Sequence, residues 1–305
     1  MVKKMVKKMV KKIYGIIGDP VAHSLSPVMQ NAAFEELGMS EGKEAAVYLA
    51  FRVSRDELGD ALRGAKSLGF SGLNVTIPLK EKALSFVDAE EVAKKIGAVN
   101  TIDFGGGVAG GAARGRGYNT DGIGAKRVLE EEEGVGEIKG KRVLILGAGG
   151  AARAISFYLA AAGGEVTIAN RTRERAAELA SNLNLNLRNA RARALGLGST
   201  AELKKQLKEA DILINATSVG MSPNENATLV TAEMMHSDLA VFDIVYNPLQ
   251  TRLLKEANLA GVKTVVDGVK MLVYQGAASF RIWTGQEPPV EVMENAVRNA
   301  LERRT

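Results

Sequence analysis

The sequence predicts a two-domain α/β protein: an N-terminal α/β domain with a mainly parallel sheet, followed by a second α/β domain. Two observations carry this prediction. Apolar strand-like runs alternate with helical stretches, which is typical of parallel sheets covered by helices. The alternation starts afresh at a strand that enters a glycine turn at Gly147. A length of 305 residues is enough for two packed domains of ordinary size.

The first run predicts strands at "IYGIIGDP", "AAVYLAFRV" and "FSGLNVTIPL". Between and after them lie predicted helices at "SPVMQNAAFEELG", "RDELGDALRGAKSLG" and "LSFVDAEEVAKKIG". The first helix has a start signal, with Ser26 as the N-cap and Pro27 in the first turn. The segment "AVNTIDFGGGVAGGAARGRGYNTDG" predicts two strands joined by a mobile glycine-rich hairpin, because no helix signal follows its glycines.

The second run begins with the strand "KRVLIL" and continues with strands at "EVTIANRT", "ADILINATSVG", "LAVFDIVYNP" and "VKTVVDG". The last part of the chain is helical and has no strand of its own to cover, so we expect it to pack back on the first domain. The predicted boundaries are therefore 13–121 plus 269–305 for the first domain, 122–268 for the second, and 1–12 for an N-terminal extension.

Charge and composition exclude several classes of function. Six lysines lie in "MVKKMVKKMVKK", and without this extension the net charge of +5 becomes −1, so no basic face for nucleic acid is implied. The extension is too short and too charged to span a membrane, and we interpret it as a solvated segment, with weak membrane-surface or polyanion contact as the alternative. The absence of cysteine and the presence of only two histidines argue against a metal site and fit a reducing cytoplasm.

The strand "KRVLIL" leads into a G-x-G-x-x-A turn and then into an alanine-rich helix. In that setting Gly147 permits the tight turn, Gly149 lets the backbone approach a pyrophosphate, and Ala152 allows close helix–strand packing. The helix N-terminus can then hold phosphates, although an ordinary tight turn is the alternative. The second domain is therefore predicted to be a Rossmann-type dinucleotide-binding domain.

The end of the next strand indicates which dinucleotide binds. An NAD site usually has a carboxylate there, whereas this strand ends in Asn170, Arg171 and Thr172, with Arg175 one turn later. Two guanidinium groups could bind a 2′-phosphate through charge-assisted hydrogen bonds. NADP is therefore favoured over NAD, with solvated helix-start arginines as the alternative.

The first domain carries polar side chains at or just after its predicted strand ends: Ser24, Ser26, Asn74, Thr76, Lys80, Asn100, Thr101, Asn119 and Asp121. Ligands bind at such strand ends in open α/β sheets. Hydroxyls, amides, one lysine and one carboxylate suit a polyhydroxylated acid. Pro78 should stop the strand and present Lys80 at its end.

These residues lie in blocks that resemble the shikimate dehydrogenase family: "GDPVAHSLSP", "NVTIPLKE", "GAVNT", "GYNTDG", "LILGAGGAARA", "NRT", "NATSVGM", "DIVYNPLQT" and "DGVKMLVYQGA". The blocks follow the family's order from about residue 13 to the C-terminus, and only the lysine-rich extension and the extra glycines near 105–115 fall outside. The resemblance implies an NADP-dependent enzyme that reversibly reduces 3-dehydroshikimate to shikimate.

The resemblance also implies roles for individual residues. Lys80 and Asp121 would be the catalytic pair. The substrate would contact both of them and Ser24, Ser26, Asn74, Thr76, Asn100, Tyr246 and Gln275. The cofactor would contact Gly147, Ala148, Gly149, Gly150, Ala151, Asn170, Arg171, Thr172, Arg175, Thr217, Ile244, Gly268, Met271 and Glu91; the alignment of Glu91 is not anchored by a motif.

Structural alternatives exist for several of these residues. Lys80 could be a strand-end surface lysine, Asp121 the N-cap of a helix starting at Gly122, Tyr246 a packing residue and Gln275 a helix surface residue. Two functional alternatives are a quinate/shikimate dehydrogenase that uses NAD and a cofactor-binding scaffold without catalysis. A glutamyl-tRNA-reductase-like function would need a cysteine nucleophile, which the chain lacks. The oligomeric state stays open, a homodimer among the alternatives.

Overall fold

The computed structural model describes residues 12–41, 45–105, 114–132 and 134–303. Its contacts divide the chain into two compact units. The first unit takes the ranges 1–93, 99–118 and 276–300, and the second takes 94–98, 119–275 and 301–305. Most of the predicted N-terminal extension and the glycine-rich tip at 106–113 lie outside the described residues. None of the helices in the described ranges combines the length and the hydropathy needed to cross a lipid bilayer.

The first unit begins with a strand and helix alternation: β1 (Lys12–Gly18), α1 (Ser26–Glu36), β2 (Ala46–Arg52), α2 (Leu58–Ser67), β3 (Phe70–Val75), α3 (Lys80–Ala83), β4 (Asp88–Ala89), α4 (Glu91–Ile96), β5 (Thr101–Asp103) and β6 (Arg116–Tyr118). Its six-stranded sheet has the order β2-β1-β3-β5-β6-β4. The pairs β1–β2, β1–β3 and β4–β6 are parallel, whereas β5 runs antiparallel to both neighbours. The glycine-rich segment thus connects two antiparallel strands, as predicted.

Three predictions for this region were wrong in detail. The segment "LSFVDAEEVAKKIG" is not one helix, because a 3₁₀ turn at Leu84–Phe86 is followed by β4, which pairs with β6, before α4 begins. The strand "FSGLNVTIPL" ends at Val75, and Lys80 starts α3 instead of standing at the strand end. The N-cap of α1 is Leu25, because the helix already includes Ser26.

The second unit contains α5 (Asp121–Glu131), β7 (Arg142–Leu146), α6 (Gly150–Ala161), β8 (Glu165–Asn170), α7 (Arg173–Asn186), β9 (Arg193–Gly196), α8 (Thr200–Glu209), β10 (Ile212–Asn215), β11 (Ala240–Asp243), α9 (Arg252–Leu259) and β12 (Thr264–Val266). All six strands are parallel, in the order β12-β11-β10-β7-β8-β9. This is the doubly wound order of a dinucleotide-binding sheet, with the change of direction beside β7. Strand β9 was not predicted from the sequence.

Two C-terminal helices complete the chain, α10 (Val269–Thr284) and α11 (Val290–Glu302). The boundary between the units falls inside α10, after Gln275. In the first unit Trp283 of α10 is almost fully buried, and its indole N–H donates to Ile102 O at 2.9 Å. Gly72 of β3 lies directly under the indole, where any Cβ atom would overlap it. The C-terminal half of α10 therefore covers the first sheet.

Candidate active site

The glycine turn of the second unit has the geometry that a bound pyrophosphate requires. Gly147 adopts φ +108°, and a Cβ atom there would lie 2.9 Å from Ala216 O. Gly149 is the N-cap of α6 and has no side chain to cap the first-turn N–H groups, while open space lies where its Cβ would be. These N–H groups and the helix dipole can hold an anion. Ala152 is fully buried, as its predicted packing role requires.

The end of β8 carries the groups predicted to select the cofactor. Asn170 Nδ2 donates to Thr172 O at 2.9 Å, which closes the turn into α7. Arg171 and Arg175 are exposed, so their guanidinium groups are accessible to a ligand. The strand end offers an amide and a guanidinium where an NAD site would have a carboxylate.

A buried polar network that the sequence did not reveal joins the ends of β10 and β11. Asp243 is fully buried and accepts hydrogen bonds from Asn215 Nδ2 at 2.9 Å, Val245 N at 3.0 Å and Thr251 Oγ1 at 2.7 Å. Burial raises the pKa of Asp243 to about 6, although these three hydrogen bonds act in the opposite direction. The available signal was a polar residue ending each of two otherwise apolar strands, "ILIN" and "AVFD".

Asn215 connects this network to the residues predicted to contact the cofactor. Its Oδ1 accepts from Thr217 N at 3.1 Å and from Thr217 Oγ1 at 2.7 Å. Gly268 packs so closely on the peptide after Ile244 that a Cβ atom would lie 2.5 Å from Ile244 O. Met271, in the first turns of α10, is buried. Thr217, Ile244 and Gly268 therefore lie on or beside the strand ends that the network joins.

A second buried network lies in the first unit, around Asn74 at the end of β3. Asn74 Nδ2 lies within 3.1 Å of three acceptors, Asn100 O, Thr101 Oγ1 and Ser279 Oγ. Its Oδ1 accepts from Tyr48 OH at 2.7 Å. The amide of Asn74 is therefore fixed by the protein itself, which explains how an amide can occupy an apolar strand. Tyr48 and Ser279 were missed because their partners are distant in sequence.

The segment from Thr76 to Lys80 turns directly out of this network. Thr76 N donates to Ile17 O at 2.9 Å, and Leu79 N donates back to Thr76 O at 2.9 Å. Gly18 accommodates the contact, because a Cβ atom there would overlap the Thr76 side chain. Thr76 and Lys80 are half-buried, so both remain partly accessible.

The two serines lie at the start of α1. Ser24 is half-buried, and its Oγ accepts from Ser26 N at 3.3 Å. Ser26 itself is buried, at 4% exposure. The Ser24 hydroxyl therefore stabilises the local turn. Neither serine is the N-cap of α1, so the capping role predicted for Ser26 was wrong.

Asp121 is the first residue of α5, at 3% exposure. The N-cap position belongs to Thr120, so the alternative in which Asp121 caps a helix starting at Gly122 was wrong. Asn119 holds this helix start, because its Oδ1 accepts from Asp121 N at 3.1 Å and its Nδ2 donates to Ala98 O at 3.0 Å.

Three further residues were predicted to contact the substrate or the cofactor. Tyr246 is half-buried after β11, and Glu91 is exposed at the start of α4. Gln275 is half-buried, and its Nε2 donates to Leu272 O at 2.7 Å, so the side chain folds along its own helix. Within the described ranges no cluster of acidic or histidine side chains could hold a metal ion.

A doubly wound parallel sheet with this glycine turn defines the second unit as a dinucleotide-binding unit of an α/β enzyme. Family profiles give the assignment: shikimate dehydrogenase substrate binding domain at residues 16–102, shikimate / quinate 5-dehydrogenase at 129–250, and shikimate 5′-dehydrogenase C-terminal domain at 268–298. The chain belongs to the shikimate dehydrogenase family. The predicted family and fold class are confirmed.

Individual relatives agree with this assignment. The NADP⁺-dependent shikimate dehydrogenase of Methanococcoides burtonii is 56% identical over 290 residues, which cover 95% of this chain and 98% of the relative. A crystal structure of a shikimate dehydrogenase with NADP⁺ is 44% identical with a TM-score of 0.84, covering 95% of this chain and 96% of that one. The Thermus thermophilus enzyme, solved with NADP(H) and shikimate, is 38% identical with a TM-score of 0.80, at 95% and 100% coverage.

The same fold also occurs with another specificity. A quinate dehydrogenase from Corynebacterium glutamicum, solved with NAD, is 31% identical with a TM-score of 0.81 and covers 95% of this chain and 99% of that one. The fold is therefore compatible with both shikimate and quinate dehydrogenases, and the residues at the substrate and cofactor sites determine which specificity a chain has.

Proposed function

We propose that this chain catalyses the reversible, NADPH-dependent reduction of 3-dehydroshikimate to shikimate in aromatic amino acid biosynthesis. The first unit binds the substrate and the second binds the cofactor. The observation that carries the proposal is the accessible pair Arg171 and Arg175 after β8, in a chain that is 56% identical to an NADP⁺-dependent shikimate dehydrogenase. A cysteine-free chain fits the reducing cytoplasm.

The residues of the second unit fit NADP. The first-turn N–H groups of α6 would hold the pyrophosphate, supported by the loop from Gly147 to Ala151. Asn170, Thr172 and the two arginines would hold the adenosine 2′-phosphate. Thr217, Ile244, Gly268 and Met271 would contact the nicotinamide half of the cofactor. Outside this unit, Glu91 is the remaining residue predicted to contact the cofactor. The chemistry that the bound cofactor supplies is hydride transfer.

The residues predicted to contact the substrate fit a polyhydroxylated acid. Ser24, Ser26 and Tyr246 would bind its carboxylate. Thr76, Asn100 and Gln275 would bind ring hydroxyls. Asn74 would offer only Oδ1, since its two N–H groups point at protein acceptors.

Lys80 and Asp121 would handle the proton. Hydride addition to the carbonyl carbon places negative charge on the oxygen, and the Lys80 ammonium would donate its proton there, giving the hydroxyl of shikimate. In the oxidative direction the neutral amine would take the proton back. Asp121 would accept a hydrogen bond from a neighbouring hydroxyl and orient the ring.

The test is an activity panel on the purified full-length chain, with shikimate or quinate and NADP or NAD, following the absorbance of reduced cofactor. We expect turnover with shikimate and NADP to exceed every other combination. The Arg171→Ala/Arg175→Ala double variant should lose most of its preference for NADP over NAD. Preference for quinate with NAD would favour the alternative specificity, and no turnover in any combination would favour a cofactor-binding scaffold.

A further inference from the structure

Burial of the Asp243 carboxylate costs folding free energy, and the fold alone does not explain why this residue is present. A buried carboxylate is stabilised only by the hydrogen bonds that it accepts, and an amide or an apolar residue would fit the end of a buried strand more easily. All three of its partners are donors, so the arrangement matches the ionised form. The catalytic scheme above makes no use of this group.

The three hydrogen bonds tie together segments on one side of the sheet's switch point, at the ends of β10 and β11 and the start of α9. Thr251 Oγ1 donates to Asp243 and also accepts from Leu254 N at 3.3 Å, where it caps α9. Val245 N belongs to the backbone that leaves β11 beside Ile244. Asn215 brings in the end of β10.

The connection continues to the glycine turn. Thr217 is held by Asn215 Oδ1, and its own Oγ1 accepts from Val219 N at 3.1 Å. The peptide of Ala216 and the methyl group of Thr217 lie directly over Gly147, at 2.9 Å and 3.1 Å from the position of an added Cβ atom. Because these atoms occupy the space beside Gly147 that a side chain would need, a shift of Thr217 would change the packing of the loop that would hold the pyrophosphate.

We propose that Asp243 is a positioning residue for the cofactor site, holding the ends of β10 and β11 in the arrangement that the dinucleotide needs. This inference rests on the proposed function, because it assumes that NADP binds at the glycine turn. Asp243 touches no substrate or cofactor itself and acts through Asn215 and Val245.

The charged residues of α9 are Arg252, Lys255 and Glu256, and Lys255 is exposed. On α9, Arg252 and Glu256 pair with each other, with 2.7 Å between Nε and Oε1. After β12, Asp267 accepts from Val269 N at 2.8 Å. Burial raises the pKa of Asp243, its three hydrogen bonds oppose that rise, and no charged neighbour contributes to the shift. Protonation of Asp243 near pH 6 would disturb the network, because all three of its partners donate hydrogen bonds to the carboxylate.

The test measures the dissociation constant of NADPH by fluorescence titration of full-length wild type and Asp243→Asn between pH 5 and 8. At pH 7.5 we expect the variant to bind NADPH about tenfold more weakly, equivalent to about 1.4 kcal/mol. The ratio of the two constants should fall towards one below pH 6, where wild type is protonated as well. Taking the ratio cancels the titration of the cofactor's own 2′-phosphate.

Asp211→Asn is the matched control. Asp211 stands just before β10, at the opposite end of that strand, and accepts from Arg142 N at 2.7 Å. It holds two strands together as Asp243 does, but away from the glycine turn. We expect its NADPH affinity to equal that of wild type, even where its melting temperature falls.

If Asp243→Asn does not fold, the pair Thr251→Val and Thr251→Ser replaces it, because only valine removes the donor to Asp243. Valine should weaken NADPH binding at least threefold relative to serine. A wild-type affinity in Asp243→Asn, or equal affinities in the Thr251 pair, would overturn the proposal. Loss of the proposed function is separate, since it would appear as wild type that fails to oxidise shikimate with NADP.

Discussion

The buried polar network described in each unit is built from different chemical groups. In the first, Tyr48, Asn74, Thr101 and Ser279 form a network of neutral hydroxyls and amides at the junction of β3, β5 and α10. In the second, the buried network centres on the carboxylate of Asp243. A neutral network is insensitive to pH, whereas one built on a carboxylate changes its hydrogen bonding when that group titrates. The two networks should therefore respond differently to acid.

The largest expected effect concerns Lys80, which follows the neutral network in the chain, at the start of α3. Lys80→Ala should lower kcat by about 10²–10⁴-fold, because the developing alkoxide loses its proton donor, while KM for shikimate changes much less. Steady-state kinetics at saturating NADP measure both. Lys82→Ala is the control, because Lys82 Nζ donates to Arg55 O at 2.8 Å and has no role in the proposed chemistry. Equal losses in kcat and in shikimate affinity would contradict the proton-transfer role.

The next effect sharpens the contrast in acid response. The folded pKa of Asp243, about 6, exceeds the ordinary 3.8, so the folded chain retains this proton where the unfolded chain has lost it. Stability therefore falls as pH rises from about 4 to about 6 and is level above that range. Asp243→Asn removes this dependence.

The unfolding free energy of Asp243→Asn relative to wild type should therefore rise by about 2 kcal/mol between pH 4 and pH 7. Chemical denaturation at several pH values gives the difference. A difference that does not vary with pH would show that Asp243 keeps its ordinary pKa. A stability difference that rises with pH, together with a loss of NADPH affinity, is the combination expected of a residue kept for function.

A third prediction concerns the packing of α10 on the sheet of the first unit. Gly72→Ala should cost about 1–3 kcal/mol of stability, since the new Cβ atom overlaps Trp283 and must displace α10. Gly64→Ala is the matched substitution, because nothing lies within 4 Å of its Cβ position in α2 and alanine is the better helix former. It should leave stability unchanged or raise it slightly. Equal thermal shifts for the two variants would argue against the close Gly72–Trp283 contact.

The smallest effect tests the neutral network directly. Tyr48→Phe removes the hydroxyl that donates to Asn74 Oδ1 at 2.7 Å, at a cost of about 1 kcal/mol. The loss should be the same at pH 5 and pH 8, unlike that of Asp243→Asn. Denaturant titration at the two pH values measures this loss of stability. A loss that changes between the two pH values would contradict the proposed difference between the neutral network and the Asp243 network.

The sequence predicted the parts of this fold that depend on neighbouring residues. The turn at Gly147 was readable because its glycines lie between a strand and a helix that are contiguous in the chain. Strand β9 was missed because it is a short, half-exposed edge strand whose position comes from pairing with β8. Strand β4 was missed for a similar reason, since two residues count as a strand only through their partner β6.

The site was predictable in its residue types and less so in its hydrogen bonds. The amide of Asn74 was recognised as unusual in an apolar strand, but Ser279, its partner, is 205 residues away. The capping role of Ser26 followed from local preference, and the structure instead gives the nearby acceptor to Ser24. Which donor meets which acceptor is settled by the tertiary fold, and single-sequence patterns carry little of it.

The division of α10 between the units has a consequence for synthesis. A ribosome delivers β1 more than 250 residues before the helix residues that cover its sheet, Ser279 and Trp283 among them. Until those residues emerge, the nascent N-terminal segment exposes the apolar face of an incomplete sheet. A polypeptide terminated after Gly268 should therefore aggregate even though every strand of both sheets has been made.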